Sequence, residues 1–194
     1  MADLRLAEFY AATTVPQTFL AVTMDLEDPD PLNNPFTDIH PRNKLEVGVR
    51  LANAGRMALY GIQGEENSFV SGCKVDGNTT VVQLQGVGEN VAVRRVEGSG
   101  GVEVMDCNGV WSSAAIVGVG KDDFVVDVSG IVGRPAGIRY AWRNNPCCTG
   151  AEFEESKCTR GGGLCGLYVG SADGGGQDVP VVSFYREISG GECQ

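Results

Sequence analysis

Thr18-Phe19-Leu20-Ala21-Val22-Thr23-Met24 is a nearly continuous apolar run of strand length. A strand covered on one face alternates apolar and polar residues. An unbroken run belongs to a strand covered on both, as in a parallel sheet with helices on either side. The stretch therefore predicts a strand over residues 18–25. Before it, residues 2–12 place Leu4, Leu6, Ala7 and Tyr10 or Ala11 on one helical face, and Thr13-Thr14-Val15-Pro16 ends that helix. After it, residues 25–35 form an acidic loop rich in Pro and Asn. Pro41 is a good first helical residue. A helix is expected from 41 to about 60, with Leu45, Val49, Ala52, Arg56 and Leu59 on one stripe and Val47, Leu51, Ala54 and Ala58 beside it. Gly61 suits the left-handed position past its end. Residues 1–61 thus read helix–strand–loop–helix. This is an α/β fragment, too small for a domain, because one strand makes no sheet.

The texture changes beyond Gly61. Strand candidates recur at 68–74, 79–86, 91–96, 102–107, 114–119, 124–128, 137–142 and 181–188. Val82 and Leu84 face away from Gln83 and Gln85, and Ile138, Tyr140 and Trp142 away from Arg139 and Arg143. Asp76-Gly77-Asn78, Gly86-Val87-Gly88 and Gly98-Ser99-Gly100-Gly101 separate them as turns. Many short alternating strands with glycine turns predict an all-β sandwich over residues 62–194. Trp111, Tyr140 and Trp142 are expected in its core, an exposed ring being able to stack on a sugar. Arg139 and Arg143 are expected in surface or interdomain ion pairs.

The chain has 194 residues, 28 of them glycine, and a formal net charge of −10. No basic cluster exceeds a pair such as Arg94-Arg95. Nucleic acid and anionic membrane surfaces are therefore poor partners, and no apolar run approaches a membrane span. No cofactor is indicated. The seven cysteines include four within 147–165, in a segment rich in Gly and Asn. That density suggests disulfides and an oxidising compartment. A zinc site is the weaker reading, since no Cys-x-x-Cys occurs. Cys165 is expected to bridge to Cys147 or Cys148, and Cys73 with Cys107 is a plausible second pair. Met1-Ala2-Asp3-Leu4-Arg5 lacks a signal-peptide apolar region. Disulfides and this start are reconciled if the natural protein begins upstream of Met1.

His40, in Asp38-Ile39-His40-Pro41, is the chain's single histidine. Histidine is the usual side chain for proton transfer near neutral pH. A helix N-terminus disfavours imidazolium and poises the ring as a base, and a neighbouring carboxylate would orient it. Asp38 is two residues away, and Asp25, Asp28 and Asp30 lie in the same loop. On spacing alone, an N-cap role for His40 ahead of Pro41 is the favoured reading.

A resemblance changes that balance. Val15-Pro16-Gln17-Thr18-Phe19-Leu20-Ala21-Val22-Thr23-Met24-Asp25-Leu26, then Asp38-Ile39-His40-Pro41-Arg42-Asn43-Lys44 and the helix to Tyr60-Gly61, resembles the end of the catalytic domain of the sialate O-acetylesterase family, part of the SGNH hydrolase group. Ile138-Arg139-Tyr140-Ala141-Trp142-Arg143-Asn144-Asn145-Pro146 resembles that family's Arg-Tyr-Ala-Trp…Pro segment, and Leu167-Tyr168 and Val179-Pro180…Phe184 look like degenerate versions of two short motifs that follow it. The matches keep family order from about residue 4 to 185.

The resemblance implies a carbohydrate esterase that removes acetyl groups from sugar hydroxyls through serine, histidine and an acid. It places the catalytic histidine at His40. Asp-x-x-His spacing would put the acid at Thr37, which cannot serve, so Asp38 is the candidate, with Asp30 or another loop carboxylate as fallback. The family's Gly-Asp-Ser or Gly-Gln-Ser-Asn nucleophile motif does not occur in this chain. Ser99 and Ser129 read as turn residues, since a nucleophile elbow needs a strained strand-to-helix turn. The expectation is therefore a C-terminal portion of such an esterase, inactive alone. Its partners would be an O-acetylated sugar and the missing N-terminal part, in a secreted, lysosomal or other oxidising compartment. The alternatives are a non-catalytic carbohydrate-binding β-sandwich and a complete esterase with an unrecognised serine.

Overall fold

The alternation of residues 79–85 is realised strand by strand. In β2 (Thr79–Gln85), Thr80, Val82 and Leu84 are buried and Gln83 and Gln85 are exposed. β1 (Phe69–Asp76) pairs with it antiparallel across the two-residue loop Gly77-Asn78, where Gly77 supplies the positive φ of 57° that such a hairpin needs. The structure, a computed structural model, describes residues 2–26, 43–61, 67–89, 91–96, 101–143, 146–147, 165–171 and 178–194.

The remaining strands are β3 (Val91–Arg95), β4 (Val102–Met105), β5 (Trp111–Ser113), β6 (Ile116–Val119), β7 (Asp123–Asp127), β8 (Gly137–Tyr140), β9 (Leu167–Ser171), β10 (Val179–Pro180), β11 (Phe184–Ser189) and β12 (Glu192–Cys193). They form a nine-stranded sheet in the order β5-β4-β8-β11-β12-β1-β2-β7-β6 and a three-stranded sheet in the order β10-β9-β3. Every pairing between them is antiparallel. Val82, Phe124, Val126, Val104 and Ile138 from the large sheet and Val93, Leu167 and Val169 from the small one share one core. The large sheet must therefore curl around the inner residues that the small sheet covers.

Two helices precede this body. α1 (Ala2–Thr14) packs Phe9 against Phe69, with ring centroids 5.1 Å apart, and against Val22, Val179 and Val182. Arg5 fastens it further, donating to Ser183 Oγ and to the carbonyls of Ala141 and Arg143. α2 (Lys44–Tyr60) ends at Gly61, which takes φ 62° and donates to the Met57 carbonyl as expected of a left-handed cap. Among the described residues, no helix is long and apolar enough to cross a membrane.

Several expectations need correction. Residues 18–25 form no strand; 18–23 are irregular and Met24-Asp25 lie in a turn that Leu26 N closes on Thr23 O. Among the described residues no strand pairs with this run, and side chains satisfy carbonyls in it instead: Asn67 Nδ2 donates to Leu20 O and Arg50 Nη1 to Val22 O. α2 starts at Lys44, not at 41. Its N-cap is Asn43, whose side chain accepts from Glu46 N, so His40 does not cap this helix. Asn43-x-x-Glu46 has the residue types of a capping box, a stronger start signal than Pro41.

β5, β9, β10 and β12 were not anticipated; β5, β10 and β12, at two or three residues, are too short to show a period. Cys73 pairs with Cys193, not with Cys107, because β12 lies beside β1 with Lys74 opposite Glu192. Cys107 is exposed and unbridged. Cys147 bonds to Cys165, one of the two partners expected; Cys148 and Cys158 lie outside the described residues. Two disulfides fit an oxidising compartment.

Tyr140 is a core residue, 1% exposed, but Trp111 and Trp142 are half-buried outside the core. Alternation would send Trp142 to the side of Tyr140. Ala141 has φ 53°, a left-handed conformation, and breaks the alternation. Trp142 consequently joins Arg139 and Tyr185 on the outer face.

Candidate active site

The apolar run 18–26, the N-terminal half of α2 and the start of β9 meet at one place. Met24 is the joint: its side chain packs against all three apolar clusters among the described residues, and Ser183 Oγ lies 3.5 Å from its sulfur. The next residue, Asp25, is 6% exposed and faces Arg50 of α2, which is 7% exposed. Two parallel hydrogen bonds join them, Arg50 Nη1 to Asp25 Oδ1 at 2.6 Å and Nη2 to Oδ2 at 2.9 Å. Nη1 also donates to Val22 O at 2.7 Å. Nε of Arg50 lies 3.3 Å from Glu46 Oε1, one helical turn earlier, as an ionic contact without an aligned hydrogen bond.

This is a closed polar unit. Burial opposes the Arg50 charge, but the hydrogen bonds and charge of Asp25, with Glu46 adding to them, outweigh it and hold the guanidinium above its ordinary pKa. The planar fork of arginine matches the carboxylate, which a lysine could not do. Tyr168 of β9 stands close by. Burial, then the Asp25 charge, push its hydroxyl up to about 12, and the hydroxyl accepts from Cys165 N at 3.1 Å. Tyr140 is raised by burial as well; its hydroxyl donates to Leu167 O and accepts from Leu167 N, pinning the start of β9. The Cys147–Cys165 disulfide packs against Tyr168 and Met24.

The unit has a mechanical consequence. Residues 27–42 join the Asp25 end to the Asn43 cap of α2, and both ends are anchored. Asp25 is held by Arg50, and Asn43 holds the first turn of the same helix. His40 and Asp38, and the fallback Asp30, fall in this connection and lie outside the described residues. Among expected site residues only the flanks are therefore placed.

Arg50 escaped sequence reasoning. Its one signal was a charged residue on the line of Val47 and Ala54, where an apolar side chain fits a packed helix face. Ser129 is exposed at a turn, its amide donating to Asp127 Oδ1, and no histidine exists among the described residues to activate it. Among the described residues, no group of three or more His, Cys, Asp or Glu is placed to hold a metal.

A groove of about 300 Å³ opens between α1, α2 and residues 19–22, lined by Phe9, Phe19, Val22, Met57 and Phe69 among others. The other side of α2 is exposed. Leu45 is 80% exposed, Tyr60 74% and Leu59 58%. The apolar stripe read along α2 from the sequence is thus exposed, as its lack of an evident partner in this chain implied. The buried face is Arg50 and Gly55, the latter close against the Phe19 ring.

No family model matches the chain. It is 30% identical over 141 residues to a sialate O-acetylesterase of Rattus norvegicus, covering 69% of this chain and 24% of the relative. The sialate O-acetylesterases of Mus musculus and Homo sapiens are each 28% identical, again over 69% of this chain and 25% of their own length. The chain thus spans about a quarter of the length of the curated relatives it matches. In fold it is similar to a carbohydrate acetylesterase from Xanthomonas citri, with a TM-score of 0.59 at 23% identity, covering 85% of this chain and 31% of that one.

Proposed function

The chain is a relative of the sialate O-acetylesterases over 69% of its length, and from that premise we propose that it is a portion of a carbohydrate O-acetyl esterase. In this reading residues 1–61 are the C-terminal part of an esterase domain and residues 62–194 a β-sandwich domain. His40 is the general base, Asp38 the carboxylate that orients it, and the serine comes from outside this chain. The substrate is an acetyl ester on a sugar hydroxyl. The serine Oγ would attack the ester carbonyl while His40 accepts its proton, then return that proton to the leaving sugar oxygen. The acetyl-serine would be hydrolysed by water with His40 again as base.

One observation carries the reading: the chain is 30% identical over 141 residues to a sialate O-acetylesterase. The order Asp38-Ile39-His40-Pro41 before α2, quoted above for its likeness to that family, supplies the candidate base. The structure adds support. The Asp25–Arg50 pair anchors the approach to the connection that bears Asp38 and His40. The apolar surface of α1, residues 18–25 and α2 is left uncovered, as it would be where the remainder of an esterase domain packs. That remainder, in the same polypeptide or as a separate chain, is the proposed partner. The disulfides suit a secreted or lysosomal setting.

The test is hydrolysis of p-nitrophenyl acetate and of an O-acetylated sugar. This chain alone is expected to be inactive. Joined to upstream sequence carrying Gly-Asp-Ser or Gly-Gln-Ser-Asn, it should turn over, and His40→Ala should lower kcat by about 10²–10⁴-fold. Turnover by this chain alone, abolished by His40→Ala, would instead establish a complete esterase with its own serine. Sugar binding with no turnover in either form would favour the non-catalytic carbohydrate-binding reading.

A further inference from the structure

The outer face of β5, β4, β8 and β11 carries an arrangement that the esterase chemistry does not use. Register places Glu103, Arg139 and Tyr185 side by side on three adjacent strands. Trp111, on edge strand β5, leans inward over this row. Its ring lies 4.1 Å beneath the Arg139 guanidinium and 5.9 Å from the Tyr185 ring. Trp142 stands on the other side of Tyr185, at 5.8 Å. The result is a row of three rings with a guanidinium set between the indoles.

The row is built rather than incidental. Arg139 Nε donates to Glu103 Oε2 at 3.0 Å, and Arg143 Nη2 lies 3.7 Å from Glu103 Oε1. The ion pair and the cation–π contact fix the guanidinium in place. Gly137 makes room for the indole: a Cβ there would lie 3.1 Å from Trp111 Cη2. The left-handed Ala141 brings Trp142 to this side. Both tryptophans of the chain take part, and all three rings remain half-buried rather than sealed.

We propose that this face binds the pyranose rings of a neutral oligosaccharide, at a subsite that performs no catalysis. A pyranose offers an apolar C–H face and a rim of hydroxyls. The row offers aromatic rings for the first and, between them, the edges of an Arg–Glu pair for the second. One carboxylate is shared by two guanidinium groups, so both cations are paired and the face is dominated by its rings, which suits a hydroxyl-rich ligand with an apolar face. Strand-borne groups held by register are preorganised, so little ordering cost opposes a shallow contact. The subsite extends the esterase reading, since it would hold the glycan that carries the ester, yet its ligand needs no ester.

Because Trp111 and Trp142 are the chain's two tryptophans, intrinsic fluorescence reports on this face alone. Titration of the full chain with cellotetraose, xylotetraose and N-acetyllactosamine should give a saturable shift in emission with at least one of them, half-complete in the millimolar range. Trp111→Ala and Tyr185→Ala should each weaken it about tenfold or more, whereas His40→Ala should leave it unchanged. Circular dichroism checks that each variant folds; if Trp111→Ala does not, Tyr185→Ala decides alone. Three outcomes overturn the proposal: no shift with any of the three sugars up to about 10 mM, a shift of unaltered affinity in Tyr185→Ala, or an emission change that follows protein concentration instead of sugar. The last would mean that a second copy of the chain occupies the face. Binding on non-acetylated sugars stands or falls independently of turnover, so failure here and failure of the esterase reading are distinct results.

Discussion

The β-body and the helical segment treat their apolar residues in opposite ways. In the body, Phe124, Ile138, Val82 and Val104 are fully buried, and both sheets close on one core. In the segment, Leu45, Leu59 and Tyr60 face solvent, and nine of the thirteen exposed large hydrophobic side chains among the described residues precede residue 62. The body satisfies its own pattern. The helical segment leaves much of its apolar pattern exposed, and its described interior joins a small apolar cluster around Phe9 and Val22 to the polar Asp25–Arg50 clamp. A family-like segment can therefore be present in sequence while its expected architecture, a parallel strand in a sheet, is absent from the described structure.

The comparison can be broken most directly at the covalent level. Cys73–Cys193 closes a separation of 120 residues and Cys147–Cys165 one of 18. Loop-closure entropy makes the first worth about 4–5 kcal/mol and the second about 3 kcal/mol. Cys73→Ala should lower the urea midpoint more than Cys165→Ala; the reverse order would mean that the body is not organised by its terminal strand.

Core substitutions come next. Phe124→Ala should cost about 3–5 kcal/mol, whereas Leu59→Ala should stay within about 0.5 kcal/mol. Chemical denaturation of both variants measures the contrast. Leu45→Gln with Leu59→Gln should also reduce binding of a hydrophobic dye without loss of stability. A large cost at Leu59 would show that the helical surface is covered within this chain.

The clamp sharpens the comparison from the other side. Arg50→Met leaves the buried Asp25 carboxylate without its partner, a loss of about 3 kcal/mol, while Arg50→Met with Asp25→Leu should recover most of it. Recovery in the double variant, followed by denaturation, identifies a charge penalty; none would identify packing.

The smallest effect is alkaline. Tyr168 and Tyr140 have folded pKa values raised above those of unfolded tyrosine, Tyr168 to about 12. A raised folded value contributes stability that is complete below the unfolded pKa, about 10, and is lost as pH rises toward the folded one. Stability should therefore fall between about pH 10 and 12. Tyrosinate absorbance should rise with unfolding, and Tyr168→Phe should flatten the decline.

Legibility followed the range of the interaction. Seven of the eight strand candidates after residue 67 reappear within a few residues of their expected bounds. The eighth, 181–188, begins only at Phe184; before it Val181 N bonds to Leu167 O and Val182 N to Ser68 O as single contacts rather than a ladder. Both helices were readable, as was the Gly61 cap, since propensity, turn glycines and capping act over a few residues. The site was legible only in part. His40 and Asp38 came from spacing and resemblance, while Arg50, which reaches back 25 residues to Asp25, had no local signature beyond an arginine out of place.

By itself the sequence determined that most of this chain is antiparallel β, that two helices come first, that disulfides form near residues 147–165, and which family it resembles. These depend on side-chain period and turn chemistry. Tertiary structure alone decided that β12 brings Cys193 to Cys73, that Ala141 swings Trp142 out of the core, and that Arg50 is the buried partner of Asp25. Each of these turns on a partner remote in the chain or on one backbone conformation that packing imposes. No local pattern encodes which distant surface will arrive.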